Sequence, residues 1–225
     1  TAPGLYVERD DRIRPLTARL PTIEGPANPF GIRTSRVPRW MLLHPDQAFG
    51  ISELARVLEL SPASVSRTVA ALEDEALAEP VNDPGNRRSK RIRLTRPSAL
   101  LDAWLPAWQR RRTQRLLWDI GSHDVEETLD LLRTVATGTP DAEWAIGGIA
   151  GASLRRRAVE PRDVLIWTRA EDLSVLADQL MPVETRSPYR ASLRVALAPD
   201  PFVLGLAHHA KGLPIADPVQ LWLDC

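Results

Sequence analysis

Between positions 87 and 96 the sequence contains six basic residues and no acidic residue, a density of positive charge that suits a polyanion. Lys and Arg side chains neutralise phosphate oxygens, and each such contact adds salt dependence to binding. A solvated surface face is the alternative interpretation, but the helical segment that precedes the run favours phosphate binding. The basic residues are Arg87, Arg88, Lys90, Arg91, Arg93 and Arg96.

That helical segment covers residues 51–72 and predicts two short helices joined by a turn. Ser61 can cap the second helix with its hydroxyl, and Pro62 suits the first helical position. Val65, Val69 and Leu72 recur at helical spacing and predict the face that packs inward. The outward face is small apart from one arginine, and it comprises Ala63, Ser64, Arg67, Ala70 and Ala71.

A helix with small outward side chains can enter the major groove of DNA, which is about 12 Å wide. We therefore predict that Arg67 and Ser64 contact base edges, while the start of the helix suits phosphate. The alternatives are a helical hairpin that only packs and a winged helix used for dimerisation. The predicted DNA contacts are Ser61, Pro62, Ala63, Ser64, Arg67 and Thr68 on the helix, and Arg87, Arg88, Lys90, Arg91 and Arg93 after it.

Two predicted strands, at 79–82 and 90–95, follow the second helix and surround a turn at 83–86. In the second strand Ile92 and Leu94 alternate with arginines, which is the period of a half-buried strand. With these features, residues 33–95 resemble the winged helix-turn-helix of MarR- or IclR-like regulators. The resemblance implies a DNA-binding fold and says nothing of the operator sequence.

The formal net charge of the 225 residues is zero, but the charge is unevenly distributed. Residues 31–116 contain fifteen basic and nine acidic side chains, a net of +6, whereas residues 117–225 contain ten basic and sixteen acidic ones, a net of −6. This asymmetry predicts two domains with different partners. We predict an α+β protein with an N-terminal strand or arm at 1–32 that continues an upstream segment, a winged helix-turn-helix at 33–96, a helical connector at 97–140 and a small α/β domain at 141–225.

In the second half, Gly147 and Gly148 follow a predicted strand and open a predicted helix, so their N–H groups could approach a phosphate. The segment resembles the opening of nucleotidyltransferase-fold proteins, which carry two metal-binding acids on the next strand. Asp163 stands at the first of these positions but Leu165 at the second, so two-metal chemistry is not expected. Close packing of helix on strand is the interpretation we favour. A basic cluster after the helix either binds a nucleotide, RNA or DNA backbone or complements the helix dipole, and consists of Arg155, Arg156 and Arg157.

The end of the sequence adds a second resemblance, carried by Asp217, Pro218, Gln220, Trp222 and Asp224. Together with the glycine segment and the winged helix, these residues resemble the AbiEi-type antitoxins of type IV toxin–antitoxin systems. The resemblance covers most of residues 33–225. It implies a degenerate nucleotidyltransferase-like core, autorepression of an operon and a cognate toxin as a candidate partner.

Signals of catalysis, metal binding or membrane insertion are sparse. No Ser/His/Asp arrangement is recognisable, and His208 and His209, expected on a helix, would point about 100° apart. A single Cys225 excludes an internal disulfide and a thiolate metal cluster. No run of 18 apolar residues occurs, so no transmembrane helix is predicted. We predict no catalytic residue, no metal, no cofactor, no enzymatic activity and a cytoplasmic location.

Three tryptophans of the connector region, Trp104, Trp108 and Trp118, predict core packing, with a dimer interface or an aromatic effector pocket as the alternative. The sequence as a whole predicts a sequence-specific DNA-binding transcriptional regulator, a repressor, that binds double-stranded DNA as a homodimer because palindromic sites match two-fold symmetry. A toxin protein or a small-molecule effector is the further candidate partner. The alternative is a nucleotide-binding or nucleotidyltransferase-like protein that uses the Gly-Gly turn.

Overall fold

The computed structural model describes residues 28–83, 86–111, 113–122, 124–156, 159–187 and 192–225, and of 83 and 86–89 it describes the backbone alone. The N-terminal strand and most of the arm expected before residue 33 lie outside the described residues. So does the middle of the turn expected at 83–86.

The first half of the described chain is a helical unit with a small antiparallel sheet. Strand β3 lies between β1 and β2, and the β2–β3 hairpin directly follows the third helix. This order is that of a winged helix-turn-helix, with the hairpin as the wing. The elements are α1 (Arg36–Leu43), β1 (Ala48–Phe49), α2 (Ile51–Val57), α3 (Pro62–Asp74), β2 (Ala78–Asp83) and β3 (Asn86–Leu94).

Helix α3 begins and packs as its sequence predicts. The Ser61 hydroxyl accepts a hydrogen bond from the Ser64 N–H at 3.2 Å, and Pro62 occupies the first helical position. Val65, Val69 and Leu72 are buried and fix the inner face. Because both the cap and the apolar stripe are local sequence signals, the start and the orientation of this helix follow from the sequence.

The end of α3 places Ala76 in the left-handed region, with φ of 52°. The backbone N–H groups of Ala76 and Leu77 close the helix by bonding to the carbonyls of Glu73 and Leu72, each at 2.8 Å. Glycine adopts this conformation more readily than alanine because it has no Cβ.

We therefore expect Ala76→Gly to raise the free energy of unfolding by about 0.5–1 kcal/mol, since relief of the left-handed backbone exceeds the entropy cost of glycine. The matched control is Ala70→Gly in the middle of α3, which should lower that free energy by about 1 kcal/mol. Urea denaturation of the two variants measures both values. A loss of stability in Ala76→Gly would contradict the prediction.

The second half contains a seven-stranded sheet within the described residues, in the order β7-β4-β8-β6-β5-β10-β9. The β6–β8 and β5–β10 pairs are parallel and the other pairs antiparallel. The elements are α4 (Pro97–Gln109), β4 (Arg115–Asp119), α5 (Val125–Gly138), β5 (Trp144–Gly147), α6 (Gly148–Arg155), β6 (Val164–Thr168), α7 (Leu173–Leu180), β7 (Val183–Glu184), β8 (Leu193–Leu197), a 3-10 helix (Pro201–Leu206), β9 (His208–Ala210), β10 (Leu213–Ile215) and α8 (Pro218–Asp224).

Two secondary-structure predictions in this half are wrong. In the connector predicted to be helical over 97–140, helix α4 ends at Gln109, and residues 115–119 form a strand because they pair with β8, which is distant in sequence. His208 and His209 lie on strand β9 instead of a helix, since this segment pairs with β10. Helix α5 agrees with the helical prediction for the rest of the connector.

The three connector tryptophans are core residues. Trp104, Trp108 and Trp118 are 0%, 8% and 2% exposed. Trp104 stacks on Phe30 with ring centroids 5.7 Å apart, and Trp108 lies 5.7 Å from the ring of Trp167 on β6. Helix α4 is therefore packed against both halves of the described chain.

Two buried arginines of α1 join the winged helix to the second half. The Arg36 guanidinium donates two hydrogen bonds of 2.7 Å to Asp200, and Arg39 donates to Asp217 at 2.6 Å and to Gln220 at 3.0 Å. Arg39 and Asp217 are 2% and 1% exposed. Each of these aspartates also caps the helical segment that follows it in the chain.

This link between the two halves was not predicted from the sequence. Its available signal is the pair of Asp-Pro steps at 200–201 and 217–218, which marks two helix starts. An Asp-Pro step does not indicate which arginine its aspartate binds.

Candidate nucleic-acid interface

The outward face of α3 is exposed and small. Ala63, Arg67 and Ala70 recur at helical spacing and are exposed, whereas Ser64 and Ala71 are half-buried. Side chains of this size let a helix backbone come close to base edges in a groove about 12 Å wide. Arg67 is the basic residue of this face and carries five N–H donors, which match the acceptor pair of guanine.

The first turn of α3 offers fewer phosphate donors than its sequence predicts. The N–H of Ser64 is bonded to the Ser61 hydroxyl, and Pro62 has no N–H. The Ala63 N–H remains as a backbone donor at this end. Ser61 therefore acts first as a helix cap, and the Ser61 hydroxyl hydrogen is what it retains for a phosphate.

Thr68 does not belong to the exposed face, and its prediction as a DNA contact is wrong. The side chain is 0% exposed, and its hydroxyl donates to the Ser64 carbonyl at 2.9 Å. Three residues beyond Val65 and four before Leu72, position 68 falls inside the buried stripe of the helix. Thr68 therefore packs the helix, with its hydroxyl satisfied within one turn.

Arg91 holds the wing in place, and its predicted phosphate contact stays a prediction. Its guanidinium donates twice to the Ala48 carbonyl, at 2.9 and 2.7 Å, and once to Glu53 at 2.9 Å. These bonds connect β3 to β1 and to the start of α2. Arg96 has a similar structural part, because it donates to the Ala76 and Glu75 carbonyls at the end of α3.

The remaining basic residues of the wing differ in whether their side chains form ion pairs within the chain. Arg93 pairs with Glu79 at 2.6 Å, but both side chains are about half exposed, and such pairs contribute little stability. Lys90 is exposed. The side chains of Arg87 and Arg88 lie outside the described residues, so their predicted phosphate contacts stay predictions.

The Gly-Gly turn of the second half is filled by a carboxylate of the same chain. Asp224 accepts hydrogen bonds from the Trp167 indole at 2.8 Å, the Gln220 amide at 2.7 Å and the Gly148 N–H at 3.3 Å. Burial raises the pKa of Asp224 to about 6, an effect that these three hydrogen bonds partly oppose. A phosphate at this turn would compete with Asp224 for the same donor.

The two glycines serve close packing, as favoured above. A Cβ at Gly147 would lie 2.6 Å from Asp224 Oδ2 and 2.7 Å from Trp167 Nε1, and Gly148 has a left-handed φ of 57°. Asp163 forms a salt bridge of 2.5 Å with Arg194. Arg155 ends α6 and Arg156 follows it, exposed, while Arg157 lies outside the described residues.

We expect Gly147→Ala to lower the free energy of unfolding by about 1–3 kcal/mol, because the added methyl overlaps Asp224 and the Trp167 ring. The backbone at Gly147 has φ of −104°, so alanine itself is unstrained there. Gly205→Ala is the matched control, since nothing lies within 4 Å of its Cβ, and it should change stability by less than about 0.5 kcal/mol. Thermal unfolding of both variants tests the difference, and equal stabilities would refute the packing interpretation.

Among the described residues, no group of three or more His, Cys, Asp and Glu side chains is arranged to hold a metal ion. None of the helices in the described part combines the length and apolar character needed to cross a bilayer.

Comparisons with known proteins return distant structural likenesses. No protein-family model matches the chain, and no curated protein matches it. Among solved structures, a mutant of MepR from a multidrug-resistant S. aureus clinical isolate is 22% identical over 32% of this chain and 53% of its own, with a TM-score of 0.29. A mutant of Lactococcus lactis ZitR is 20% identical over 47% of this chain and 61% of its own, with a TM-score of 0.29.

A third structure, the S. aureus MepR–DNA complex, is 16% identical over 49% of this chain and 78% of its own, with a TM-score of 0.32. The chain thus spans little more than half the length of the first of these proteins and 61% of the second.

Proposed function

We propose that this protein is a DNA-binding transcriptional regulator, a repressor, whose helix α3 enters the major groove and reads a specific sequence. The observation that carries the proposal is the exposed face of α3, on which small residues surround Arg67 and leave room for bases. A guanidinium bound to guanine O6 and N7 supplies about 1–3 kcal/mol of discrimination against a wrong base.

The wing supports α3 by contacting the DNA backbone. Arg91 fixes the hairpin to β1 and α2, so the wing has a defined position beside α3. Lys90 and Arg93 then contribute phosphate contacts, together with Arg87 and Arg88. Arg93 can exchange Glu79 for a phosphate at small cost, because an exposed ion pair contributes about 0–1 kcal/mol.

The charge distribution agrees with this orientation. Residues 31–116 carry a net charge of +6 and residues 117–225 a net charge of −6. The basic half therefore attracts the duplex, while the acidic half repels it and disfavours binding in the reverse orientation. We propose a homodimer, because two copies related by a two-fold axis would contact both halves of a palindromic site.

We further propose an antitoxin role, which rests on the resemblance of the C-terminal residues to AbiEi-type antitoxins. The polar tail residues Asp217, Gln220 and Asp224 have partners within the chain, whereas Trp222 is 37% exposed. Trp222 and Pro218, which is also exposed, are thus the tail residues placed to meet a toxin. Nucleotide binding is disfavoured, because Asp224 occupies the Gly-Gly turn on which it would depend.

Selection of random DNA duplexes by the full chain, followed by fluorescence anisotropy, tests this function. We expect an enriched palindromic motif that binds at least about 10³-fold more tightly than a scrambled duplex. Affinity should fall steeply between about 50 and 200 mM salt, because phosphate contacts release counterions. Absence of any salt-dependent binding would exclude the function, and binding without an enriched motif would exclude sequence-specific regulation.

A further inference from the structure

Arg36 contacts the second half of the chain and the helix-turn-helix at the same time. Its guanidinium donates from Nε and Nη2 to the two oxygens of Asp200, each at 2.7 Å, and from Nη1 to the Leu58 carbonyl at 2.8 Å. Arg36 and Asp200 are 8% and 5% exposed. Asp200 caps the 3-10 helix of the second half, whereas Leu58 ends α2. One buried side chain therefore bridges the two halves.

The contacts with the second half leave the guanidinium of Arg36 little freedom. A carboxylate that accepts two N–H bonds from one guanidinium fixes both its position and its plane. Arg36 Cζ also lies over the ring of Phe202, 4.6 Å from the centroid, and Phe202 belongs to the same 3-10 helix. The hydrogen bonds with Asp200 raise the pKa of Arg36, an effect that burial opposes. Asp200 and Phe202 thus set the direction in which Nη1 points.

On its other side, Arg36 contacts the α2–α3 turn, residues 58–61. Glu59 in this turn has φ of 54°, a left-handed conformation that is unfavourable for a residue with a Cβ. Its carbonyl accepts a hydrogen bond from Arg33 at 3.0 Å, so two arginines hold adjacent carbonyls of the turn. Ser61, the cap of α3, is the last residue of the turn. A shift of the turn would therefore move the start of α3.

The second ion pair between the halves does not reach this turn. Arg39 binds Asp217 and Gln220 and lies over the Trp104 ring. Within the described part of the chain, no hydrogen bond or ion pair joins Arg39 to residues 58–61. Both pairs are buried, and the aspartate of each caps a helical segment. Comparison of the two pairs therefore separates an effect on the turn from the general effect of holding the halves together.

We propose that Arg36 is a positioning residue, through which the second half holds the α2–α3 turn and the start of α3 in the arrangement that binds DNA. Asp200 and Phe202 orient the guanidinium, and the guanidinium fixes the Leu58 carbonyl. The effect on DNA binding rests on the proposed function, whereas the positioning of the turn does not. A displacement of the 3-10 helix would lower operator affinity without changing any side chain that contacts DNA.

Amide hydrogen exchange of the full chain without DNA tests the positioning of the turn. Asp200→Asn removes the charge of the pair but keeps an oxygen that caps the 3-10 helix. We expect the amides of residues 58–65 to exchange at least about fivefold faster in this variant, because the donor to the Leu58 carbonyl is no longer fixed. The matched control, Asp217→Asn, should change these rates by less than about twofold, because its partner Arg39 does not contact the turn.

Fluorescence anisotropy with the selected operator and a scrambled duplex tests the effect on DNA binding. We expect Asp200→Asn to weaken operator binding by about tenfold, because a displaced α3 loses base contacts. Binding to the scrambled duplex should change by less than about twofold, since the basic residues of the wing are unaltered. Asp217→Asn adds the same charge and should change both affinities by less than about twofold. Thermal unfolding of each variant establishes that it is folded.

Phe202→Leu is a milder variant that keeps the proposal testable if Asp200→Asn does not fold. It should accelerate the exchange of residues 58–65 by about threefold, because the ring no longer restricts the guanidinium. Unchanged exchange in the variants that fold, or an equal increase in Asp217→Asn, would overturn the positioning of the turn. Unchanged operator affinity would overturn its effect on DNA binding. If the unmodified protein binds no operator, the proposed function fails, and the exchange rates still decide whether Arg36 positions the turn.

Discussion

Replacement of Arg67 by alanine is expected to remove most of the preference for the selected operator while leaving non-specific DNA binding in place. Arg67 is the basic residue on the exposed face of α3, whereas the phosphate contacts that we propose lie in the wing. Loss of one bidentate contact to guanine costs about 1–3 kcal/mol, or roughly 5–150-fold in affinity for the operator. Anisotropy titrations with the operator and a scrambled duplex, at several salt concentrations, measure both quantities.

The control for this prediction is Arg162→Ala, which removes an equal charge from the acidic half of the chain. It should leave the ratio of specific to non-specific affinity unchanged. The salt dependence of the Arg67 variant should stay close to that of the unmodified protein, since the wing contacts persist. An unchanged operator preference in Arg67→Ala would remove Arg67 from the proposed interface.

Replacement of Arg39 by methionine is expected to lower the free energy of unfolding by about 3–5 kcal/mol, because Asp217 is left charged and buried without its partner. Methionine keeps the length of the apolar stem, so the loss reports mainly the charge. Arg39 also lies 5.2 Å from the ring centroid of Trp104, a contact that the variant loses as well. Denaturant unfolding monitored by tryptophan fluorescence measures the change.

Arg93→Met is the matched control, because its partner Glu79 is half exposed and the pair is worth about 0–1 kcal/mol. A double variant, Arg39→Met with Asp217→Asn, should recover part of the lost stability, since Asn keeps the cap oxygen without the charge. Equal losses of unfolding free energy in Arg39→Met and Arg93→Met would mean that burial does not strengthen the ion pair between Arg39 and Asp217.

The winged helix could be predicted from the sequence because its signals are local. The Ser61–Pro62 step marks the start of α3, and the alternation of Ile92 and Leu94 marks the half-buried strand β3. Strand β4 could not be predicted in this way, because it is stabilised by pairing with β8, about 80 residues later. The same holds for the three-residue strand β9, whose two histidines alone carry no strand signal.

The candidate interface was predicted in outline, and the contacts that individual side chains form within the chain were not. Thr68 is polar and looked available, but the helical period places it among Val65, Val69 and Leu72. Arg91 belongs to a basic run, yet its bonds reach Ala48, 43 residues earlier. Composition locates a positive charge, whereas tertiary contacts decide what that charge binds.

The ion pairs that Arg36 and Arg39 of α1 form with Asp200 and Asp217 also determine when the two halves can come together during synthesis. Asp200 and Asp217 follow their arginine partners by 164 and 178 residues. At a translation rate of about 5–20 residues per second, the ribosome delivers them roughly 10–30 s after α1. During this interval Arg36 and Arg39 are hydrated and unpaired with these aspartates. The winged-helix half therefore forms its contacts with the second half late, and a nascent chain that is released early carries this half without those contacts.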